Sequence, residues 1–218
     1  MTLAGCARNL VQLVQGETPM KRLYYFRHSS KDGANNTLGP KGLALARKVG
    51  DWLYDAEEEL EFDRVFHGTL VRTAQTALAF TAGYGAVGDI MPVVPEIGND
   101  ALFSQMVDPS QFRTLASAMG NFKALFQCHD SEVISSWIAE ASLAVVNMFS
   151  AMEDGETGVA FGHSPMIELA LAKVLGTTEL PEEYLVFGDM EGVELQQEEG
   201  GAIEAIRKIS MPASEPAA

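Results

Sequence analysis

Residues 23–28 read LYYFRH, an apolar run that ends in an arginine and a histidine. A second apolar run, VAFGHSP at residues 159–165, also leads into a histidine. Short apolar runs bounded by turn signals predict buried strands, and the Ser-Pro pair at 164–165 suits the N-cap and first position of a helix. The carboxyl ends of parallel strands meet at one edge of a sheet, so we expect His28 and His163 to lie close together.

A third strand-like run places a further cation at the same edge. Residues 64–68 read RVFHG, and the segment TLVRTAQTA at residues 69–77 puts Arg72 just past the carboxyl end of that strand. Arg27, Arg72 and the two histidines are therefore expected to converge where open α/β sheets hold their sites. Planar guanidinium groups bind phosphoryl oxygens through paired hydrogen bonds, so this quartet suits phosphoryl transfer.

The same residues resemble the histidine phosphatase superfamily, whose fold is phosphoglycerate mutase-like and whose signature is Arg-His-Gly after the first strand. Here the signature reads Arg27-His28-Ser29, and the resemblance continues through LGPKG at 38–42, LVRTAQTA at 70–77 and GHSP at 162–165. These elements occur in the expected order over roughly residues 22–210. The resemblance implies an α/β fold, a three-layer α/β/α sandwich whose mostly parallel sheet ends in a C-terminal antiparallel hairpin.

The expected chemistry is phosphoryl transfer through a covalent phosphohistidine. His28 is the expected nucleophile, because neutral imidazole, with a reference pKa of about 6.5, attacks well near pH 7. Arg27, Arg72 and His163 are expected to bind the phosphoryl group and to stabilise the charge on its oxygens in the transition state. We expect His163 to donate as an imidazolium when a dianion is bound, since the dianion raises its pKa.

The leaving oxygen also needs a proton. In the resembled family a carboxylic acid after the third strand supplies it, and the segment VPEIGND at residues 94–100 offers Glu96, with Asp100 as the alternative. The same group would then deprotonate the water that hydrolyses the phosphohistidine. His67, which also ends a strand, either lines the pocket or has a structural role.

The chain departs from the family pattern in residues that surround the quartet. Ser29 replaces the usual glycine, Gly68 stands where serine is common, and the asparagine expected six places after His28 is absent, although residues 35 and 36 are asparagines. These differences bear on the substrate rather than on the chemistry. We predict a metal-independent phosphatase that acts on a small phosphomonoester, a phosphohistidine or a phosphoprotein. A phosphoglycerate mutase and a catalytically weak phosphate-binding protein are the alternatives.

The acidic composition of the chain argues against nucleic acid and anionic membranes as partners. The 218 residues include 30 acidic and 15 basic side chains, a net charge of −15 that would repel nucleic acid and anionic membrane surfaces. Cys6 and Cys128 are isolated, and His129 has no third ligand nearby, so we expect no disulfide, no metal site and no cofactor. A cytoplasmic location fits this pattern, and the oligomeric state does not follow from the sequence.

Alternation of strand and helix patterns predicts a mostly parallel sheet covered on both faces. A single domain is expected over residues 21–210, after an N-terminal extension (1–20), with an insertion at about 98–130 and a disordered tail (211–218). Helices are predicted over 40–60, 70–80, 109–126, 131–152 (with Ser131 as N-cap) and 164–175, an edge strand over 92–95, and a hairpin from strands 193–196 and 203–207.

Overall fold

The computed structural model describes residues 19–32, 36–57, 60–85, 87–90, 93–98 and 109–212 of the chain. Within these ranges six strands form one sheet: β1 (Met20–Arg27), β2 (Phe62–His67), β3 (Val87–Ile90), β4 (Thr157–Gly162), β5 (Gly192–Glu198) and β6 (Ile203–Ile209). The helices are α1 (Pro40–Ala56), α2 (Val71–Tyr84), α3 (Pro109–Met119), α4 (Asn121–Cys128), α5 (Ser131–Ser150) and α6 (Met166–Val174), with 3-10 helices at Pro95–Gly98 and Glu182–Tyr184.

The sheet order is β3-β2-β4-β1-β5-β6, which brings three strand ends to one edge. β4 lies between β1 and β2 and runs parallel to both, with Arg27 opposite Gly162 and His67 opposite Phe161. β1, β2 and β4 therefore finish at the same level. The amide of His28 continues the ladder by donating to the carbonyl of Gly162 at 2.9 Å. β5 and β6 form an antiparallel hairpin beside β1.

The two faces of the sheet carry separate apolar cores. Along β1, Leu23 and Tyr25 pack into the core that contains α5 and α6, whereas Tyr24 and Phe26 pack into the core that contains α1 and α2. Successive side chains of a strand point to opposite faces, so a central strand covered on both sides reads as a continuous apolar run. This is why the residues before His28 do not alternate with polar ones.

Local structure differs from prediction between β2 and α3. The edge strand predicted over 92–95 is wrong over its described part, because the strand that pairs with β2 lies earlier, at Val87–Ile90. The amide of Val94 instead donates to the carbonyl of His67 at 3.0 Å, and Pro95 begins a 3-10 helix. Proline has no amide proton to give to a ladder, which favours this break.

Helix boundaries also differ. The helices predicted over 40–60 and 70–80 end at Ala56 and Tyr84. The helix predicted over 109–126 is divided into α3 and α4 by Gly120, whose φ of 85° lies in a region that glycine adopts readily. Helix α5 has Asp130 rather than Ser131 at its N-cap position. Helix α6 begins at Met166, because the hydroxyl of Ser164 donates to the carboxyl of Glu168 instead of capping the backbone.

Within the described part of the chain, α5 is the one helix long and apolar enough to cross a membrane by length and composition alone. Its apolar side is buried in the core against the sheet and α6, through residues that include Ile134, Trp137, Val145 and Met148. The buried side of α5 is therefore part of the core, whereas Leu143 and Val146 on its other side are exposed.

Candidate active site

The turn after β1 is held from two helices. The amide of Ser29 donates to the hydroxyl of Thr76 in α2 at 3.1 Å, and its own hydroxyl donates to the carbonyl of Gly42 in α1 at 2.7 Å. A Cβ on Gly42 would collide with the carbonyl oxygen of Ser30, so α1 approaches this turn as only glycine permits. These contacts fix the backbone on which His28 is carried, and they use the hydroxyl that replaces the expected glycine.

The ring of His28 is held in one tautomer. Its Nδ1 lies 2.6 Å from the carbonyl oxygen of Ser29. A carbonyl can only accept, so Nδ1 carries the proton and Nε2 carries the lone pair, an assignment that follows from the hydrogen bonds. His28 is 5% exposed. Nε2, which carries the lone pair, is therefore the nucleophilic nitrogen of this ring.

Arg72, in the first turn of α2, joins the groups of the site. Its Nε donates to Nε2 of His28 at 3.2 Å and its Nη1 donates to Oδ1 of Asn36 at 3.1 Å. Its Nη2 lies 3.3 Å from Nδ1 of His163. Because arginine only donates, Nδ1 of His163 accepts, and the proton of that neutral ring lies on Nε2.

His163 follows β4 and lies beside His28, with the ring centroids 4.8 Å apart. Its Nε2 is buried and has no hydrogen-bond partner among the described residues. A buried donor without a partner costs roughly 1–3 kcal/mol, so a bound group that accepts from Nε2 of His163 would stabilise the site. The Nε2 proton of His163 is thus available to an oxyanion placed next to His28.

Both histidines are held neutral by their surroundings. Burial, followed by the charges of Arg72 and Arg27, lowers the pKa of His28 to about 4. Burial, the neighbouring His28 and the same arginines lower the pKa of His163 to about 2. We expected an imidazolium at His163 in the presence of a dianion. The protein's own groups act in the opposite direction and favour a neutral ring that donates from Nε2.

Arg27 lies at the rim of the site and not in direct contact with the histidines. Its Nη1 donates to the carbonyl of Phe187 at 2.6 Å, and its Nη2 lies 3.5 Å from Oδ1 of Asp189. Its positive charge contributes to the lowered pKa of both histidines, and a positive charge at the rim also favours a bound anion. The structure therefore brings three members of the quartet into contact and holds the fourth beside them.

Glu96 lies in the 3-10 helix Pro95–Gly98, and Asp100 comes two positions later in the sequence than the proline-led turn's Gly98. Ile97 of this helix is fully buried and packs against Gly162, where a Cβ would collide with it. The 3-10 helix that contains Glu96 thus packs against the end of β4, the strand that His163 follows. The side chain of Glu96 and the whole of Asp100 lie outside the described residues, so the choice between them stays a prediction.

Sequence reasoning missed two side chains that contact the arginines. Asn36 accepts from Arg72, although it stands two places beyond the position where the family pattern puts an asparagine. The amide of Leu38 donates to Gln75 Oε1 at 2.8 Å, which ties the segment after Asn36 to α2. Asp189 precedes β5, far along the chain from Arg27, and no local pattern marked it.

His67 ends β2 at the same edge, and its Nδ1 lies 2.8 Å from the carbonyl oxygen of Gly68. This is the arrangement that His28 makes with Ser29, but His67 is half-buried and no hydrogen bond joins it to the other histidines. Its two possible roles, pocket wall or structural, stay open. Within the described residues, no group of three histidine, cysteine or acidic side chains lies within reach of one metal ion.

The fold is similar to that of several solved structures. A mutant phosphoserine phosphatase from Entamoeba histolytica, in complex with phosphoserine, is 15% identical with a TM-score of 0.58 and covers 86% of this chain and 96% of that chain. The protein histidine phosphatase SixA, complexed with tungstate, is 16% identical with a TM-score of 0.52 and coverage of 87% and 96%. Phosphoglycerate mutase from Plasmodium falciparum is 13% identical with a TM-score of 0.50 and coverage of 91% and 98%.

No family model matches the sequence, and a search of curated proteins found no match. At these identities the structural likeness concerns the fold. The predicted phosphoglycerate mutase-like α/β fold is confirmed at that level.

Proposed function

We propose that this protein is a phosphatase that hydrolyses phosphomonoesters or phosphohistidine through a covalent phosphohistidine on His28, without a metal ion. The observation that carries the proposal is the pair of complementary tautomers. His28 offers a lone pair at Nε2, because its proton is held at Nδ1, whereas His163 offers an N–H at Nε2. A nucleophile and a donor for the transferred group lie side by side, joined by Arg72.

In the first step, Nε2 of His28 attacks phosphorus and the bond to the leaving oxygen breaks. That oxygen takes a proton from a carboxylic acid, for which Glu96 and Asp100 are the candidates. The phosphorylated ring is cationic, and the carbonyl of Ser29 stabilises it through the proton on Nδ1. In the second step the carboxylate takes a proton from water, the water oxygen attacks phosphorus, and phosphate leaves while the electron pair returns to His28.

Electrostatics support both steps. Because its pKa is lowered to about 4, Nε2 of His28 is unprotonated at neutral pH, so no separate base is needed to activate the nucleophile. The N–H groups of Arg72 that now bond the histidine nitrogens would turn to the phosphoryl oxygens. Donors held in place before the reaction stabilise the spread negative charge of the transition state by about 3 kcal/mol each.

Two structures of the same fold support the choice of phosphoryl chemistry. SixA is a protein histidine phosphatase and binds tungstate, which is a tetrahedral oxyanion like phosphate. The phosphoserine phosphatase binds phosphoserine, a phosphomonoester. The resemblance in sequence motifs and the resemblance in fold thus lead to the same class of reaction.

The test is hydrolysis of an aryl phosphate in the presence of EDTA, together with the intact mass of the protein during turnover. We expect activity to survive the chelator, a mass increase of one phosphoryl group, and loss of both signals in His28→Ala. His129→Ala is the matched control, since His129 lies at the end of α4 and contacts Trp137. Full activity of His28→Ala, or loss of wild-type activity in EDTA, would contradict the proposal.

A further inference from the structure

Asp189 brings a carboxylate to the rim of the candidate active site. Its Oδ1 lies 3.5 Å from Nη2 of Arg27, and its Oδ2 accepts from the hydroxyl of Ser30. The side chain is one-third exposed, so it faces solvent as well as the site. Its negative charge favours the protonated form of His28 and so acts against the two arginines.

A substitution can remove the negative charge of Asp189 without removing its hydrogen-bonding shape. Arg27 is also held by the carbonyl of Phe187 at 2.6 Å, which does not depend on Asp189. An asparagine has the same shape as aspartate and keeps an oxygen that accepts a hydrogen bond. Asp189→Asn therefore removes one negative charge beside Arg27 while retaining an acceptor for it.

The charged side chains at the candidate active site nearly balance. Among the described residues, the guanidinium of Arg72 bonds both histidines, and the guanidinium of Arg27 at the rim pairs with the carboxylate of Asp189. Lys31 is exposed and screened by solvent.

This balance has a consequence for the leaving group. With the general acid protonated, as the first step requires, the two arginines and one aspartate leave about one net positive charge to face a phosphoryl dianion. A carboxylate on the leaving group would add a second unbalanced negative charge, in a chain whose net charge is already −15. An ammonium group on the leaving group would instead neutralise the complex and could approach the exposed part of Asp189.

We propose that Asp189 is a specificity-determining residue, which adapts the site to phosphomonoesters whose leaving group carries a positive charge and disfavours those that carry a carboxylate. The proposal rests on the proposed phosphatase function. It also disfavours the mutase alternative, since phosphoglycerate carries a carboxylate next to its phosphate group.

The test uses three two-carbon substrates that differ in charge: O-phosphoethanolamine, 2-hydroxyethyl phosphate and phosphoglycolate. The quantity compared is kcat/KM of Asp189→Asn divided by that of the wild type, because this ratio cancels the intrinsic reactivity of each ester. Relative to the neutral substrate, we expect the ratio to fall about fivefold for phosphoethanolamine and to rise about fivefold for phosphoglycolate. The control is Glu191→Gln, a carboxylate of the same segment that bonds Gly188 and Lys208.

A role of Asp189 in orienting Arg27 alone predicts a loss by the same factor on all three substrates, and that result would overturn the proposal. Calorimetric binding of inorganic phosphate provides an arm that does not need turnover. Tighter binding to Asp189→Asn than to the wild type supports the charge role, whereas equal or weaker binding overturns it. If the wild type hydrolyses neither these esters nor an aryl phosphate, the proposed function fails, and the phosphate arm still decides the role of Asp189.

Discussion

Replacing Arg72 by lysine separates the charge of this residue from its shape. Arg72 reaches three different groups, with its Nε 3.2 Å from His28, its Nη1 3.1 Å from Asn36 and its Nη2 3.3 Å from His163. A guanidinium presents these donors in a fixed plane, whereas an ammonium is a compact point charge on a flexible stem. The Arg72→Lys variant would keep the positive charge of the site, but its ammonium could not donate in all three directions.

The expected loss follows from the number of donors. During the reaction the N–H groups that now bond the two histidine nitrogens would bond two phosphoryl oxygens, and lysine would replace at most one of them well. Loss of one such donor costs about 3 kcal/mol in the transition state, which corresponds to roughly a 10²-fold fall in kcat. The ground-state charge is unchanged, so KM should change much less than kcat.

Steady-state hydrolysis of an aryl phosphate gives kcat and KM. Single-turnover formation of the phosphoenzyme shows whether the first step is the one that slows. Arg47→Lys, an exposed arginine of α1, is the matched control. Thermal denaturation checks that Arg72→Lys remains folded, because Arg72 is 9% exposed. A folded Arg72→Lys protein whose kcat stays within about fivefold of the wild type would refute the role given to the planar guanidinium.

Two stability predictions concern buried carboxyls outside the reacting groups. Glu168 is fully buried, and burial raises its pKa to about 7, so in the folded state its ionisation costs stability as pH rises from about 4.5 through 7. Glu168→Gln should therefore raise Tm at pH 8 and lose that advantage at pH 4; an equal Tm difference at both pH values would contradict this. Glu194, 1% exposed, accepts from Arg22 at 2.7 Å and from Arg207 at 2.7 Å. Removing it in Glu194→Ala should lower the urea unfolding free energy by about 2–4 kcal/mol, since both arginines lose a buried partner, whereas exposed Glu204→Ala should change it by less than about 0.5 kcal/mol.

Much of the site could be predicted because its residues follow strands. His28 and His163 come directly after apolar runs that form the neighbouring strands β1 and β4, and Arg72 lies in the helix that follows β2. Parallel strands that finish together bring such residues to one edge whatever the loops between them do. For this reason we could expect the two histidines to lie close together from the position of each at the end of an apolar run. The place of β4 between β1 and β2 is seen only in the sheet order.

Features that depend on a single backbone hydrogen bond were predicted less well. The edge strand was placed on 92–95, whereas the ladder forms at Val87–Ile90. Ser131 and Ser164 have the right residue type for an N-cap, but Asp130 takes that position in one helix and Glu168 receives the hydroxyl of Ser164 in the other. Residue type restricts which bonds are possible, and the nearby partners decide which of them forms.

The sequence by itself determined the α/β fold and the three side chains that meet, because the spacing of apolar residues is a local property and burial acts on it directly. Only the tertiary structure decided the tautomers of the histidines and the partners of Arg27. Its guanidinium bonds Phe187, 160 positions along the chain, and lies next to Asp189. The balance of charge around His28 depends on distances between segments that come together only when the sheet and its loops have packed.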